Sequence, residues 1–364
     1  MVMQVILCTP KKCRCWGGGK ELKYLGLPSE SQNNYEPTLD GWRAMAILLV
    51  LYEHFVGYTM FDMGRMGVNA FFALSGALMG GILFVRKTPL KTFYQRRFTR
   101  VFPLFFLFVA VVYGTGALMG NQESENVLYT IAFLRSYLPE GGIWGTDLPI
   151  GHLWSLNIEE HAYVIMSIVA LFGVHLRRDA WSPCLLGSVL IGVGLVSIVA
   201  KYVTIKFMPA SQGVGLQTHL NLGFIFIAAG YHVWYRHYQW RINNVTWWVA
   251  AAIAIGFIVH IKSMHWFAMT LVAPFMFAFA VNHLSEISGA LKSLFSYAWL
   301  RLVGLWSFSL YIWQQPFYIW SKQYDDGVVS LLLFSAVVVI SLLSFYVFEN
   351  PVRVYLNKKM TGQR

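Results

Sequence analysis

The residue pair best suited to chemistry in this chain is an arginine and a histidine within one apolar segment. Arg43 and His54 lie eleven residues apart in the hydrophobic stretch 42–60. Eleven residues make about three turns of an α-helix, so both side chains are expected on one face, roughly 16 Å apart along the axis. Ionisable groups are costly in an apolar segment and usually face a protein interior or a watery cavity. The pair therefore predicts a polar track through a membrane, with an imidazole that can accept and release a proton.

A second candidate site is a pair of arginines at the start of the third apolar segment. Arg97 and Arg100 are three residues apart, so they are neighbours on a helix. Two adjacent guanidinium groups can clasp a phosphate or a pyrophosphate. Anchoring of the membrane topology is the alternative, but it does not explain why Arg100 begins the apolar run.

A third cluster leads into the fourth apolar segment, in the run Gly-His-Leu-Trp-Ser-Leu-Asn-Ile-Glu-Glu-His at 151–161. A carboxylate beside a histidine orients the ring and stabilises its protonated form. Glu159 and Glu160 point about 100° apart on a helix, so at most one of them is expected to face the core. Capping at the membrane interface is the alternative, and Trp154 suits that position.

A fourth cluster lies in the ninth apolar segment, which contains Ser-Leu-Tyr-Ile-Trp-Gln-Gln-Pro at 309–316. A proline inside a membrane helix frees a backbone carbonyl, and two adjacent glutamines need hydrogen-bond partners. Lining a cavity would satisfy these groups, and hydrogen bonding between helices is the alternative.

The composition is that of an integral membrane protein. Of the 364 residues, 57% are hydrophobic and 12% are charged, whereas soluble proteins have about 25% charged residues. A membrane span needs about 20 mostly apolar residues, and the chain has ten such stretches. The sequence therefore predicts an all-α polytopic membrane protein with about ten transmembrane helices around a polar central cavity. The predicted spans are 42–60, 68–85, 101–119, 158–175, 184–200, 217–235, 246–261, 265–283, 299–320 and 328–348.

The distribution of charge predicts the orientation of these helices. With the N-terminus inside, the inner loops and the termini hold twenty-one of the 28 lysines and arginines, and the outer loops hold six. Basic residues gather in the cytoplasmic loops of membrane proteins, so both termini are predicted to be cytoplasmic. Residues 1–37 are expected to form a flexible cytoplasmic extension, 38–353 the membrane domain and 354–364 a basic cytoplasmic tail.

Several other kinds of site are not found in the sequence. It has no Gly-x-Ser-x-Gly elbow, no Walker loop and no dinucleotide fingerprint. The four cysteines lack the spacing of a zinc or thioredoxin site, and no metal is expected. The net charge of +11 is better explained by topology than by nucleic-acid binding, which would need a soluble basic face. The chemistry is therefore expected from His, Arg and Glu side chains within the membrane.

These clusters, in this order, resemble the acyltransferase 3 family of membrane O-acyltransferases. The matching motifs run from residue 39 to about residue 353, and five of them in register are specific. They are Leu39-Asp40-Gly41-Trp42-Arg43 with His54, the second-span run 67–76, Arg97 with Arg100, Trp154-Ser155-Leu156 with Glu159 and Glu160, and Phe348-Glu349-Asn350-Pro351.

The resemblance implies an enzyme that transfers an acyl group, most often acetyl from acetyl-CoA, to a hydroxyl group. The acceptor would be a glycan such as lipopolysaccharide O-antigen or exopolysaccharide, and the protein would lie in the lipid bilayer of the bacterial inner membrane. Arg97 and Arg100 would bind the CoA phosphates, with Arg43 nearby to steer the donor.

The resemblance also implies roles on the acceptor side. His54 would deprotonate the acceptor hydroxyl or briefly carry the acyl group, and sequence does not separate these two routes. The residues expected to take part in catalysis are His54, Glu159 and Arg43, and those expected to position the acceptor are Trp154, Ser155 and Glu160.

The chain departs from the family pattern at three places. Asn69 stands where an aspartate is usual, and His161-Ala162-Tyr163 replaces a common Gln-Phe-Tyr. Gln314 replaces a histidine that is common in the ninth span, so acid–base work from that helix is not expected. Because the chain ends at Arg364, it is expected to lack the esterase-like domain that some members carry.

Two alternative interpretations concern His54. Taken alone, it would be a packing residue bonded to a backbone carbonyl, and the arginine on its helical face is what favours a functional role. A proton-coupled transporter or flippase with a relay through His54 and Glu159 would also need ionisable groups in the membrane. Transporters usually have two related halves, and no such internal symmetry is found in the sequence.

Overall fold

The computed structural model describes residues 35–57, 59–120, 126–138, 143, 146–176, 181–207, 214–324 and 326–361. Within these ranges the chain is helical, and the one extended pairing is an isolated bridge between Phe61 and Ile261. Apart from 35–37, the predicted cytoplasmic extension lies outside the described residues. The helices are α1 Pro37–Phe55, α2 Met63–Gly80, α3 Leu90–Leu118, α4 Val127–Ile131, α5 Leu153–Ala170, α6 Pro183–Phe207, α7 Gly223–Tyr238, α8 Val245–Val259, α9 Trp266–Asn282, α10 Gly289–Phe295, α11 Ala298–Ser321, α12 Gly327–Leu343 and α13 Asn350–Thr361.

Three of these helices continue directly into a π-helical turn. The turns follow α2, α5 and α12 at Gly81–Val85, Leu171–His175 and Ser344–Glu349. With these turns included, five helical segments in the described ranges are long and apolar enough to cross a membrane. They are Met63–Val85, Leu90–Leu118, Leu153–His175, Pro183–Phe207 and Gly327–Met360.

The all-helical class predicted from the sequence is confirmed, and each predicted span overlaps a helix. The count of ten spans is not confirmed. α7, α8 and α9 have 16, 15 and 17 residues, which is short for a full crossing. α1 and α11 are long enough to cross a membrane, but they are not among the five segments. The polar side chains that make these two helices candidates for function also lower their hydropathy.

The first helix, α1, packs against α2 on one side and α11 on the other. Glycines allow both contacts. A Cβ on Gly67 of α2 would lie 2.3 Å from the carbonyl oxygen of Ala46, and a Cβ on Gly304 of α11 would lie 2.0 Å from that of Asp40. Because no side chain fits at either contact, the rotation of α1 about its axis is fixed, and with it the direction of its polar side chains.

Positive charge gathers at one end of the bundle, where α1 and α3 begin and α2 ends. Arg86, Arg96 and Arg236 come from three different segments, and Arg96 and Arg236 both lie close enough to repel Arg86. We call this the basic end. It is the end that the charge pattern of the sequence predicts to be cytoplasmic.

At the opposite end, the loop between α1 and α2 is tied to the loop between α8 and α9. The backbone N–H of Asp62 donates to the carbonyl of His260, and that of Lys262 donates to the carbonyl of Met60, both at 2.8 Å. The side chain of Lys262 also reaches Glu53 of α1, with its Nζ 2.9 Å from the carboxylate. These bonds fix the end of α1 that carries His54.

Candidate active site

Two cavities meet in the middle of the helices, whereas the sequence suggested a single one. The first, which we call the basic cavity, encloses about 1160 Å³ including space open to solvent, and extends to Arg96 at the basic end. The second, the histidine cavity, encloses about 1820 Å³ on the same measure and extends to Asp62 and Arg65 at the opposite end. Val68, Phe72 and Tyr311 line both cavities, so single side chains separate them. We call these three residues the partition.

Arg43 lines the basic cavity. Its guanidinium forms a buried ion pair with Asp40, one helical turn earlier on α1. The Asp40 carboxylate also accepts a hydrogen bond from the Tyr35 hydroxyl. Burial and the neighbouring carboxylate raise the pKa of Tyr35, so this hydroxyl stays protonated as a donor. Asp40 is thus held from two sides, and it holds Arg43 in place.

Arg97 lies against the carboxylates of α5. Its guanidinium contacts the Glu160 carboxylate at 2.6 Å and 2.9 Å and comes within 3.7 Å of Glu159. It also stacks over the Tyr163 ring, 3.8 Å from the centroid. Glu159 in turn accepts hydrogen bonds from the hydroxyls of Ser75 and Tyr163. The charge of Arg97 is therefore already matched by carboxylates within the protein.

Arg100 is placed differently from Arg97, although both line the basic cavity. Within the described part of the chain, no carboxylate forms a salt bridge with Arg100. Glu349 is close enough to attract it, but that carboxylate accepts a hydrogen bond of 2.5 Å from Ser309. Arg96, which is exposed, adds a further cation to the cavity wall. Arg96 and Arg100 are therefore the better-placed groups for phosphates of a ligand.

His54 lines the histidine cavity, where its ring is fixed on two sides. Its Nδ1 lies 2.5 Å from Oε1 of Gln314 on α11. The ring stacks on Tyr318, with 4.0 Å between centroids and 18° between planes. An amide oxygen accepts hydrogen bonds but cannot donate them, so this contact places the proton on Nδ1 and leaves a lone pair on Nε2.

Aromatic and polar side chains surround His54 in this cavity. One is His152, which the sequence placed in the third cluster without a role, and its ring meets Tyr311 edge-on at 5.4 Å. Another is Lys201 of α6, which sequence reasoning did not select. The predicted span 184–200 ends just before Lys201, but α6 continues to Phe207 and carries this lysine on the helix. The extra helical turns after the apolar run gave no signal in the sequence.

Asn69 also lines the histidine cavity, and its partner explains why an amide suits this chain. The Asn69 amide nitrogen lies 3.0 Å from Nε2 of His260, whose Nδ1 lies 2.6 Å from the carbonyl of Gly256. Because the carbonyl accepts from Nδ1, Nε2 of the neutral ring is an acceptor, and an amide can donate to it. An ionised aspartate could not.

The structure divides the sequence-predicted site between the two cavities. Arg43 and His54 do not share a cavity, because the partition lies between them. Both Glu159 and Glu160 contact the same arginine, which contradicts the expectation that at most one of them faces the core. The predicted cofactor-binding residues Arg43, Arg97 and Arg100 line the basic cavity together with Glu159 and Ser155, while His54 and Trp154 line the histidine cavity.

The predicted acceptor-side residues are likewise separated. Trp154 lines the histidine cavity, Ser155 lines the basic cavity, and Glu160 is bonded to Arg97. Ser155 lies 2.5 Å from the Tyr311 hydroxyl, which donates to the carbonyl of His152 at 2.9 Å. The start of α5 is thereby fastened to the partition. In the described residues there is no group of three or more His, Cys, Asp or Glu side chains with the geometry of a metal site.

The arrangement of motifs agrees with a comparison to known families. Residues 36–349 match the model of the acyltransferase domain of the acyltransferase 3 family. The chain belongs to this family. The match covers α1 to the π-helical turn after α12, and so includes both cavities.

The chain is also similar to curated bacterial O-acetyltransferases. It is 24% identical to the peptidoglycan O-acetyltransferase OatA of Listeria monocytogenes, over 88% of this chain and 56% of that protein. It is 24% identical to the O-acetyltransferase OatA of Staphylococcus aureus over 88% and 57%, and 23% identical to a putative O-acetyltransferase of that organism over 91% and 59%. The chain thus spans little more than half the length of these relatives. No solved structure matches it.

Proposed function

We propose that this protein transfers an acetyl group from acetyl-CoA, bound in the basic cavity, to a hydroxyl of a glycan bound in the histidine cavity. The observation that carries this proposal is the pair of cavities that open toward opposite ends and share a partition. The basic cavity suits a donor rich in phosphate. The histidine cavity suits a hydroxyl acceptor, because His54 can act there as a base.

The basic cavity suits the donor because of its charge and depth. Arg96 and Arg100 offer guanidinium groups for phosphates near the basic end, and Arg43 lies farther along α1. Arg97 does not offer a free cation to the donor, since it is paired with Glu160, and it acts on the site through the α5 carboxylates. In this proposal it positions Glu159 at the cavity wall, and Arg100 makes the larger contribution to donor affinity.

His54 supplies the chemistry on the acceptor side. Its Nε2 has a lone pair, because Nδ1 donates to Gln314. In one route Nε2 takes the proton of the acceptor hydroxyl, the oxygen attacks the thioester carbonyl, and CoA leaves as the thiol after protonation. In the other route Nε2 attacks the thioester first and CoA leaves as the thiolate. The hydroxyl then takes the acyl group from the imidazole, and its proton goes to the thiolate to give CoA thiol.

Both routes require the acyl group to pass the partition formed by Val68, Phe72 and Tyr311. These are single side chains, and rotation of Phe72 or Tyr311 about χ1 would join the two cavities over a short distance. A narrow opening in the partition would admit an acetyl group more readily than a longer acyl chain, which favours acetyl as the group transferred.

A glycan acceptor is supported by the aromatic lining of the histidine cavity and by the relatives. Trp154, Tyr318 and Phe224 offer ring faces, and Asn69 and Gln315 offer amides, which together suit a sugar. One relative is named for its action on peptidoglycan. The resemblance to the family implies a glycan such as lipopolysaccharide O-antigen or exopolysaccharide, and the sequence leaves peptidoglycan and a small natural product open as well. The proposed setting is the bacterial inner membrane, with cytoplasmic termini.

The test is thiol release from acetyl-CoA by the purified protein in lipid nanodiscs, with bacterial surface glycans as acceptors and mass spectrometry of the products. We expect release of CoA and an acetylated glycan, and we expect His54→Ala to abolish both while leaving thermal unfolding unchanged. His237→Ala, at an exposed histidine of α7, is the matched control and should keep full activity.

An active His54→Ala protein would refute the role of His54. A protein that moves glycan or protons across a vesicle membrane while acetyl-CoA stays intact would favour the transporter or flippase instead.

A further inference from the structure

Lys201 is a partly buried cation of the histidine cavity, and among the described residues it has no acidic partner there. It lies on α6, lines the cavity, and its Nζ donates to Oδ1 of Asn221 at 2.7 Å. Among the described residues no carboxylate forms a salt bridge with it. The charged group that acts on it is Arg65, a second cation.

The two carboxylates that line the histidine cavity are already occupied. Glu53 accepts from Nζ of Lys262 at 2.9 Å and from the backbone N–H of Met63 at 2.7 Å. Asp62 pairs with Arg65 at 3.2 Å and caps the start of α2. Among the described residues that line the cavity, the charge left over once these pairs are counted is the ammonium group of Lys201.

The hydrogen bond to Asn221 fixes the position of the Lys201 ammonium group at the cavity wall. The Asn221 amide that it contacts is oriented by two bonds from its nitrogen, to the carbonyls of Gly215 at 2.9 Å and Gln217 at 2.8 Å. These bonds turn the amide oxygen toward Nζ. An ammonium group withdrawn from water without a counter-ion costs free energy, so a cavity that keeps one is suited to receive an anion.

We infer that Lys201 is an anion-binding subsite for the acceptor, so that the protein acts on a glycan that carries a carboxylate or a phosphate. This inference rests on the proposed function and deepens it. The anionic group would contact Lys201, with Arg65 nearby, while a hydroxyl of the same molecule faces His54 across the cavity. A neutral glycan would leave the ammonium group unpaired and would bind more weakly.

The test compares binding of three probes to the protein in nanodiscs, measured by titration calorimetry without acetyl-CoA. The probes are a hexuronic acid disaccharide, its methyl ester, and a disaccharide 1-phosphate. We expect an anionic probe to bind roughly tenfold more tightly than the ester, as a charge-assisted hydrogen bond would give. Preference for the acid or for the phosphate distinguishes the source of the anion.

Variants of two lysines on α6 decide whether Lys201 is responsible. Lys201→Met should remove the preference for the anionic probe, and Lys201→Arg should keep most of it. Lys206→Met is the control, since Lys206 is exposed and does not line the cavity. If Lys201 merely anchored Asn221, then Lys201→Met would lower the unfolding temperature and leave the preference intact, which would overturn the inference.

Failure of this inference is distinguishable from failure of the proposed function, because the binding assay needs no acyl donor. Equal binding of acid, phosphate and ester by the parent protein, or no binding of any of them, overturns the anion subsite, and CoA release with a neutral glycan would still support acyl transfer. A charge preference that depends on Lys201, in a protein that never consumes acetyl-CoA, would support the subsite and refute the transfer.

Discussion

The hydrogen bond between His54 and Gln314 shows how one residue sets the chemistry of another. The two positions are 260 residues apart in sequence, and α1 and α11 bring them within 2.5 Å. The sequence suggested that a glutamine at this position takes no part in acid–base work. The structure gives the glutamine a different task, since its amide oxygen selects the tautomer of the histidine.

We predict that Gln314→Leu lowers the turnover number for acyl transfer by roughly 100-fold, within the range that general base catalysis contributes. Without the amide oxygen, His54 can adopt the other tautomer or turn away. The Michaelis constant for acetyl-CoA should change little, because Gln314 does not line the basic cavity. Steady-state kinetics of thiol release would measure both. Gln323→Leu, at an exposed glutamine after α11, is the control, and equal activity of the two variants would contradict the prediction.

The buried pair Arg97–Glu160 is expected to matter for stability. Its side chains are 10% and 12% exposed, so removing one charge leaves the other buried without a partner. We predict that Arg97→Met lowers the free energy of unfolding by about 3 kcal/mol, and that Arg97→Met/Glu160→Gln recovers most of it. Denaturant unfolding in detergent would measure both.

The sequence analysis assigned Arg97 to binding of the CoA phosphates, and one outcome of this experiment would support that role. If Arg97→Met is as stable as the parent and only weakens acetyl-CoA binding, the arginine binds the donor directly. Arg100→Met is the matched comparison, since it should raise the Michaelis constant for acetyl-CoA without a loss of stability.

Sequence patterns identified most of these residues, but they did not identify their partners. Helical spacing correctly placed Arg43 with His54 on one helix, and Arg97 with Arg100 on another. It could not reveal that Glu160 would neutralise Arg97 from α5, because pairing between helices depends on their packing and leaves no periodic signal. The position of Lys201 was missed for a related reason, since α6 continues beyond its apolar run.

At the level of helices, glycines set the spacing that the site needs. α1 lies between α2 and α11 with backbone close to backbone, and Gly67 is where α2 approaches α1. Since α2 also carries Val68 and Phe72 of the partition, this one contact positions the polar face of α1 and the wall between the cavities. The apolar run in the sequence predicted a helix at α2. It did not predict which helices α2 packs against, and the structure shows this.

We predict that Gly67→Ala destabilises the protein by about 2 kcal/mol through overpacking, because its Cβ would lie 2.3 Å from the carbonyl oxygen of Ala46. Gly192→Ala is the control, since nothing lies within 4 Å of a Cβ at that position of α6. It should be neutral or slightly stabilising. Thermal unfolding in nanodiscs would compare the two, and equal midpoints would show that α2 can move away from α1 without cost.

On the scale of the whole molecule, the two cavities give the protein two distinct sides. The basic cavity extends to the end where α1 and α3 begin, and the histidine cavity extends to the end where α1 stops. Five helical segments in the described ranges are long and apolar enough to place these ends on opposite membrane faces. Donor and acceptor would then never need to share a compartment.

We predict that acetyl-CoA supports transfer only from the side of the basic end. In membrane vesicles with the cytoplasmic face outward, added acetyl-CoA should be consumed, because it is charged and does not cross the bilayer. In vesicles of the opposite orientation it should not be consumed until detergent opens them. Thiol release in both preparations would measure this, and equal rates in sealed vesicles would contradict the assignment of the basic cavity to the donor.

The thinness of the partition has an electrical consequence. Among the described residues, Val68, Phe72 and Tyr311 line both cavities, and if water fills both cavities, much of the membrane voltage would fall across this partition. A unit charge that passed this point would do work of about 2.3 kcal/mol for every 100 mV. When an acetyl group passes in one direction and the hydroxyl proton returns to the CoA thiolate, no net charge crosses this point, so the complete reaction would be independent of the energised state of the cell.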